Sequence, residues 1–242
     1  SWRASGEIPV RLIDDGSLNR FATIDSLQGG SSNRANIIAR LTTDLKNGNS
    51  LENQIYYSRY NFRLRVNSTF FAEDSLNGDA VKQREARNLF GYNGRFSHRK
   101  EWSNASLTSV AGLGLRLDRT DNSELDHVDP QNNVLSIDQL GNISENNING
   151  FIDESIEYGK WVFNAGTRVD YFRFNYDNKL DASVPSISNV IFSPKLNIEF
   201  TADPSLQFYL KTGKGFHSND TRAVIYQYGL QTLPFAYGTD LG

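Results

Sequence analysis

"SPKLNIEFTADPSLQFYLKTGKGF", residues 193–216, holds two alternating runs around a short break. Pro194, Leu196, Ile198 and Phe200 stand on one side of the first run, with Ser193, Lys195, Asn197 and Glu199 between them. After "TADPS", Leu206, Phe208 and Leu210 alternate with Gln207, Tyr209 and Lys211. A period of two sends successive side chains to opposite faces, which is strand geometry. Pro204 could not continue a central strand, so the break is a turn. The stretch predicts a long antiparallel hairpin with one apolar and one charged face.

The same pattern recurs along the chain. In "ANIIARLTTDL", Ala35, Ile37, Ala39, Leu41, Thr43 and Leu45 oppose Asn36, Arg40, Thr42 and Asp44. The Asn-Gly pair of "KNGNS" is the strongest short-range hairpin signal, since both residues tolerate positive φ. "YYSRYNFRLRV" returns with Tyr56, Tyr60, Phe62, Leu64 and Val66 against Arg59, Asn61, Arg63 and Arg65. Phe90, Tyr92 and Phe96 oppose Asn93, Arg95 and Ser97, and the chain reverses at "HRKEWSN". "ASLTSVAGLGLRLD" places Leu107, Leu113, Leu115 and Leu117 on one face and Ser106, Arg116 and Asp118 on the other. In "INGFIDESIEY", Ile148, Ile152 and Ile156 fit a strand face or, at spacing four, a helix face. Trp161, Phe163, Ala165, Val169 and Tyr171 then oppose Asn164, Gly166, Arg168 and Asp170. With the opening hairpin these runs make eight strands, and "LPFAYGTDLG" starts a ninth.

Composition narrows the class. Only 38% of the 242 residues are hydrophobic, and the mean hydropathy is −0.51, poor for a thick globular interior. No run approaches the roughly 18 apolar residues of a spanning helix. A membrane barrel stays open, because each strand needs only about 9–11 residues and carries its apolar content at every second position. There is no cysteine, which removes disulfides and thiol chemistry. With 25 basic and 28 acidic residues spread along the chain there is no stripe for nucleic acid.

Several runs reach 11 to 14 residues, longer than the usual strand of about 5–6. Their connections alternate in length: short at 46–50, long at 67–86, short at 98–104, long at 119–146, tight near 159–160, long at 177–190, short at 201–205 and long at 217–234. Outer-membrane barrels are built in this way, with tight turns at the periplasmic mouth and contacting loops outside. The fold class expected is therefore all-β, an antiparallel transmembrane barrel whose apolar face meets lipid and whose polar face meets the lumen. Arg40, Arg116, Asp118, Arg168, Asp170, Lys195 and Glu199 are the lumen-facing polar residues. Loop 119–146, with Asp126, His127 and Asp129, is expected to be a flexible acidic surface, and together with His217, Asn219 and Asp220 it forms the candidate ligand-contacting mouth. Trp102 and Trp161 sit beside short turns, as an interfacial girdle or as ordinary strand-end packing.

The strongest internal repeat is "GLRLDR" at 114–119 against "GTRVDY" at 166–171, a shared Gly-x-Arg-x-Asp. It serves either as a ligand or plug contact, or as ion pairs between neighbouring strands. Catalytic motifs are missing: the three histidines lack zinc spacing, and neither a nucleophile elbow nor a phosphate loop occurs. The segment 121–129 lacks the spacing of a calcium loop. No catalytic, cofactor or metal residue is assigned.

"SPKLNIEFTADPSLQFYLKTGKGFHSND" followed by "LPFAYGTDLG", with "SGEIP", "QGGSSNR", "NAGTRVDY" and "FIDESIEY" upstream, resembles the barrel of TonB-dependent outer-membrane receptors. The resemblance spans essentially the whole chain. It implies a bacterial outer-membrane location and uptake of a scarce small molecule or metal chelate, such as an iron-siderophore. Its implied partners are outer-membrane lipid, a plug domain of the same parent chain, and TonB acting through that plug. No plug, TonB box or terminal aromatic strand is visible, so residues 1–242 read as a fragment of one larger barrel domain. A complete small barrel, serving as structural anchor or passive pore, is the alternative. A soluble lipocalin-like barrel would instead put its apolar alternation inside.

Overall fold

The computed structural model describes residues 1–4, 6, 8–23, 25–67, 80–181, 186–218 and 235–239. A five-residue helix, α1 (Val10–Asp14), is the only helix among them. All strands belong to one antiparallel sheet in sequence order: β1 (Trp2–Arg3), β2 (Gly29–Asp44), β3 (Asn49–Val66), β4 (Ala80–Glu101), β5 (Ala105–Val128), β6 (Val134–Tyr158), β7 (Trp161–Asn178), β8 (Ile187–Asp203), β9 (Leu206–Ser218) and β10 (Phe235–Thr239). The eight long strands fall where alternation placed them, and β10 supplies the ninth; only the two-residue β1 was not anticipated. Asn47 and Gly48 take φ of 62° and 73°, the twin positive values of the predicted hairpin turn.

The Ile148, Ile152 and Ile156 series is a strand. Gly150 and Glu154 occupy the intervening positions of the same face, opposite Leu113 and Ser109 on β5. Among the described residues β2 pairs with β1 and β3 but not with β9, so the eight long strands do not close into a small barrel. The open sheet is that of a barrel fragment.

Residues 119–146, expected as a loop, are mostly strand. β5 and β6 run to 24 and 25 residues and turn only at 129–133. The ladder continues through polar sequence because β4 flanks β5 as far as Val128 and β7 flanks β6 as far as Gly141, so packing context overrides weak local preference. It needs register shifts, including one between Thr120 and Ser123 where Asn122 adopts a φ of 48°. Residues 80–86 and 187–190, also assigned to loops, are strand, while 68–79, 182–185 and 219–234 lie outside the described residues.

The two faces of the sheet differ. Leu113, Ile148, Val190 and Phe208, each 56–59% exposed, share a convex face that we call the band face. On the other, concave face residues of β4 to β9 line a recess of about 610 Å³. The apolar band occupies only the half of each strand near the short turns. On β7 it runs from Trp161 to Tyr171, and Arg173, Asn175 and Asp177 follow on the same face. There the apolar residues change sides: Phe172, Phe174 and Tyr176 point to the recess face and are buried. Phe172 stacks on Phe174 at 5.7 Å and meets Phe216 edge-on at 5.5 Å.

β3 makes the same exchange, which corrects the expected facing of Tyr56, Tyr60, Phe62, Leu64 and Val66. Their ladder partners place them on the recess face, and Leu51, Ile55 and Tyr57 carry the band before giving way to Arg59, Asn61 and Arg63. The reason is length. At about 3.3 Å per residue a 24-residue strand extends about 80 Å, against about 30 Å of hydrocarbon. Beyond the bilayer the outer face meets water, so the sheet there obeys the ordinary rule of apolar inside.

Leu113→Arg in the full-length protein should therefore cost about 2–4 kcal/mol of barrel stability, whereas Ser155→Arg, on the recess face between Asp153 and Glu157, should cost far less. Unfolding in bilayers measures both, and similar losses would contradict the assignment of faces.

Candidate functional site

The ladder brings all seven expected polar wall residues to the recess face. Arg40, Arg116, Asp118, Arg168, Asp170, Lys195 and Glu199 occupy alternate positions of β2, β5, β7 and β8, all opposite to the apolar band. Each Gly-x-Arg-x-Asp repeat folds into an ion pair along its own strand, and Asp118 also takes the expected pair across to a neighbouring strand, from Arg87. Arg168 Nε and Nη2 donate to the two oxygens of Asp170, each at 2.7 Å. Arg116 Nη2 donates to Asp118 at 2.7 Å. Residues two apart on a strand point the same way, so a long guanidinium reaches back to a short carboxylate.

Both carboxylates are deeply buried, and their arginines remain partly open to the recess. Neighbours complete each group: Asn147 Nδ2 donates to Asp170 at 3.1 Å, and Arg87 of β4 donates to Asp118 through Nε at 2.7 Å. Asp118 thus holds two guanidiniums. Elsewhere on the wall Lys195 pairs with Asp153 at 2.6 Å and Arg40 with Glu52 at 3.4 Å, while Gln207 donates to Glu199. Arg95 lines the recess with no carboxylate partner among the described residues. The recess floor is the ring of Phe151, which lies over Gly112; a Cβ there would stand 2.3 Å from the ring and 2.9 Å from the Gly94 carbonyl. The wall is a scaffold of fixed carboxylates presenting cations toward the concave side.

Alternation alone could have found Arg87, Asn147 and Asp153. Arg87 fell in a segment read as the edge of a loop, and Asp153 in the run whose period was ambiguous. The mouth residues that the structure describes lie at separate places in the sheet. Asp126 is fully buried near the end of β5, with His127 beside it. Asp129 opens the hairpin turn and accepts from the Asn133 backbone and side-chain amides at 2.7 and 2.8 Å. The Asn133 side chain holds the Asp129 carboxyl below its usual range. His217 lies in β9, its backbone opposite Ala236, and Asn219 and Asp220 are outside the described residues. Among the described residues no three His, Cys, Asp or Glu side chains group as a metal site.

Asp126 and Glu124 form a carboxyl pair on the hairpin, facing Lys82 and Arg84. Burial, then the hydrogen bond and charge of Glu124, push Asp126 above the usual carboxylate range. Burial also works to raise Glu124, yet hydrogen bonds from Arg84 and Asp126 and the charge of Arg84 hold it below that range.

This geometry agrees with the comparisons. The family model described as TonB dependent receptor-like, beta-barrel matches residues 4–241, and the chain belongs to that family of bacterial outer-membrane barrels. Among solved structures it is similar to the ferric citrate transporter FecA in its unliganded form, with a TM-score of 0.72 and 13% identity over 84% of this chain. The chain spans 30% of that transporter's length. No curated relative matches it in sequence.

Two outcomes follow from the ion pairs. Arg168→Ala leaves the buried Asp170 carboxylate with Asn147 as its remaining neutral donor, a loss of about 1–3 kcal/mol. Asp170→Asn keeps an acceptor and should cost less; chemical unfolding in micelles gives the order. Asp126, raised in the folded state, favours folding below its unfolded pKa and loses that contribution as pH rises through the folded one. Asp126→Asn should therefore slow amide exchange at the β5–β6 tip near pH 7 relative to the parent, with the difference vanishing below about pH 4.

Proposed function

We propose that the chain forms part of the barrel of an outer-membrane receptor that takes up a scarce small molecule, such as an iron-siderophore or similar metal chelate, using energy delivered by TonB. The observation that carries this reading is the division of labour between faces. The band face is built for lipid over half its height, and the recess face presents a wall of anchored cations that a closed barrel would enclose. In that barrel Arg40, Arg116, Arg168 and Lys195 face the lumen, where a plug domain of the same parent chain would meet them. TonB acts through that plug. The strands continue beyond the bilayer on the side of the long connections, which suits a mouth that captures ligand outside the cell. The similarity to a ferric citrate transporter favours a metal chelate as the ligand class.

The test uses the full-length parent protein in intact cells. Gln131→Cys, in the β5–β6 turn, should react with a membrane-impermeant maleimide, and Lys46→Cys, in the β2–β3 turn, should not. Uptake of a labelled ferric chelate should stop when TonB is deleted, with the barrel still folded in the membrane. Labelling only at residue 46 reverses the orientation, and TonB-independent uptake removes the energised mechanism.

A further inference from the structure

We propose that the band face carries, just above its apolar zone, a binding site for phosphate-bearing anionic lipid headgroups, built on Arg59 and Arg119 with Asn88 between them. One rung of the ladder aligns Ala35, Arg59, Asn88, Arg119 and Ser144 on that face. The rung beneath is Ile37, Tyr57, Phe90 and Leu117, the last apolar rung of β2 to β5. The arginines therefore stand at the level where hydrocarbon gives way to headgroups, on the side that lipid covers.

Their state of pairing separates them from two of the cations farther up the face, whereas Arg173 on β7, level with the rung beneath, is exposed as they are. Farther up, Arg65 is buried against Asp25, and Arg84 is bound by Glu124. Arg59 and Arg119 are exposed, and among the described residues neither pairs with a carboxylate. Arg63, two rungs higher, is also exposed, and Asp121 is the nearby opposing charge. An unpaired guanidinium beside hydrocarbon needs a counter-ion, and the fork of Arg matches phosphate oxygens.

The middle of the rung fits the same ligand. Tyr57 Oη donates to Asn88 Oδ1 at 2.8 Å, which fixes the amide and leaves its NH₂ to donate outward. Adjacent strands lie about 4.8 Å apart, so two arginines separated by one strand start about 10 Å apart and can converge on a single phosphate. Above a hydrophobic band, that phosphate belongs to a lipid of the surrounding leaflet.

The full-length receptor in nanodiscs of phosphatidylcholine with a minority of phosphatidylglycerol provides the test, with bound lipid read by native mass spectrometry. The parent should retain phosphatidylglycerol preferentially. Arg59→Gln with Arg119→Gln should weaken that preference by about tenfold, whereas Arg59→Lys with Arg119→Lys and the distant control Lys46→Gln should keep most of it. An unchanged unfolding transition shows that the variants fold. Equal retention by the parent and the double Gln variant overturns the proposal, as does an equal loss in Lys46→Gln. Displacement of the lipid by inorganic phosphate at matched concentration would also overturn it, because the site would then take a free anion.

Discussion

Hydrocarbon offers no hydrogen bonds, so each backbone amide and carbonyl that crosses it must find a partner within the sheet. The architecture follows from that requirement. It dictates uninterrupted antiparallel ladders, tight turns at one end, and a register in which each rung assigns a whole row of side chains to one face or the other. Once β2 to β9 are paired, the positions of Arg116, Asp118, Arg168 and Asp170 are no longer independent. They share a face because their rungs do.

The band face and the recess face solve different problems. Lipid accepts any apolar surface and requires no specific packing, which is why large residues such as Ile37 and Val190 remain exposed without penalty. The concave side must hold charge, and it does so by burying the acid and leaving the base accessible. Asp118 and Asp170 are short, rigid and enclosed; the guanidiniums they hold are long and half open. Burying an unpaired carboxylate would be costly, and each is satisfied by more than one donor.

Much of this was legible in the residues. Strand positions, the Asn47-Gly48 turn and the facing of β5, β7 and β8 near their short turns all follow from period-two alternation. Three features were not. The side occupied by Tyr60 and Phe62 depends on whether that part of β3 lies in lipid or in water, and alternation is identical in the two cases. The strand character of 119–146 comes from β4 and β7 on either flank, a tertiary fact. The Gly-x-Arg-x-Asp repeat showed that Arg and Asp share a face, but the partner each arginine chooses depends on side-chain reach.

The exchange of apolar residues between faces acts as a waterline. On β7 it falls between Tyr171 and Phe172, and on β3 it comes after Tyr57, one rung farther along the ladder, as expected where tilted strands cross a level surface. Sinking the sheet by one pair of residues would drown Arg59 and Arg119 in oil, and raising it by the same amount would lift Tyr57, Phe90 and Leu117 out of the oil among the headgroups. The molecule therefore floats at a set draught and trim, and any force that pulls on its interior acts on a hull that resists heave and roll.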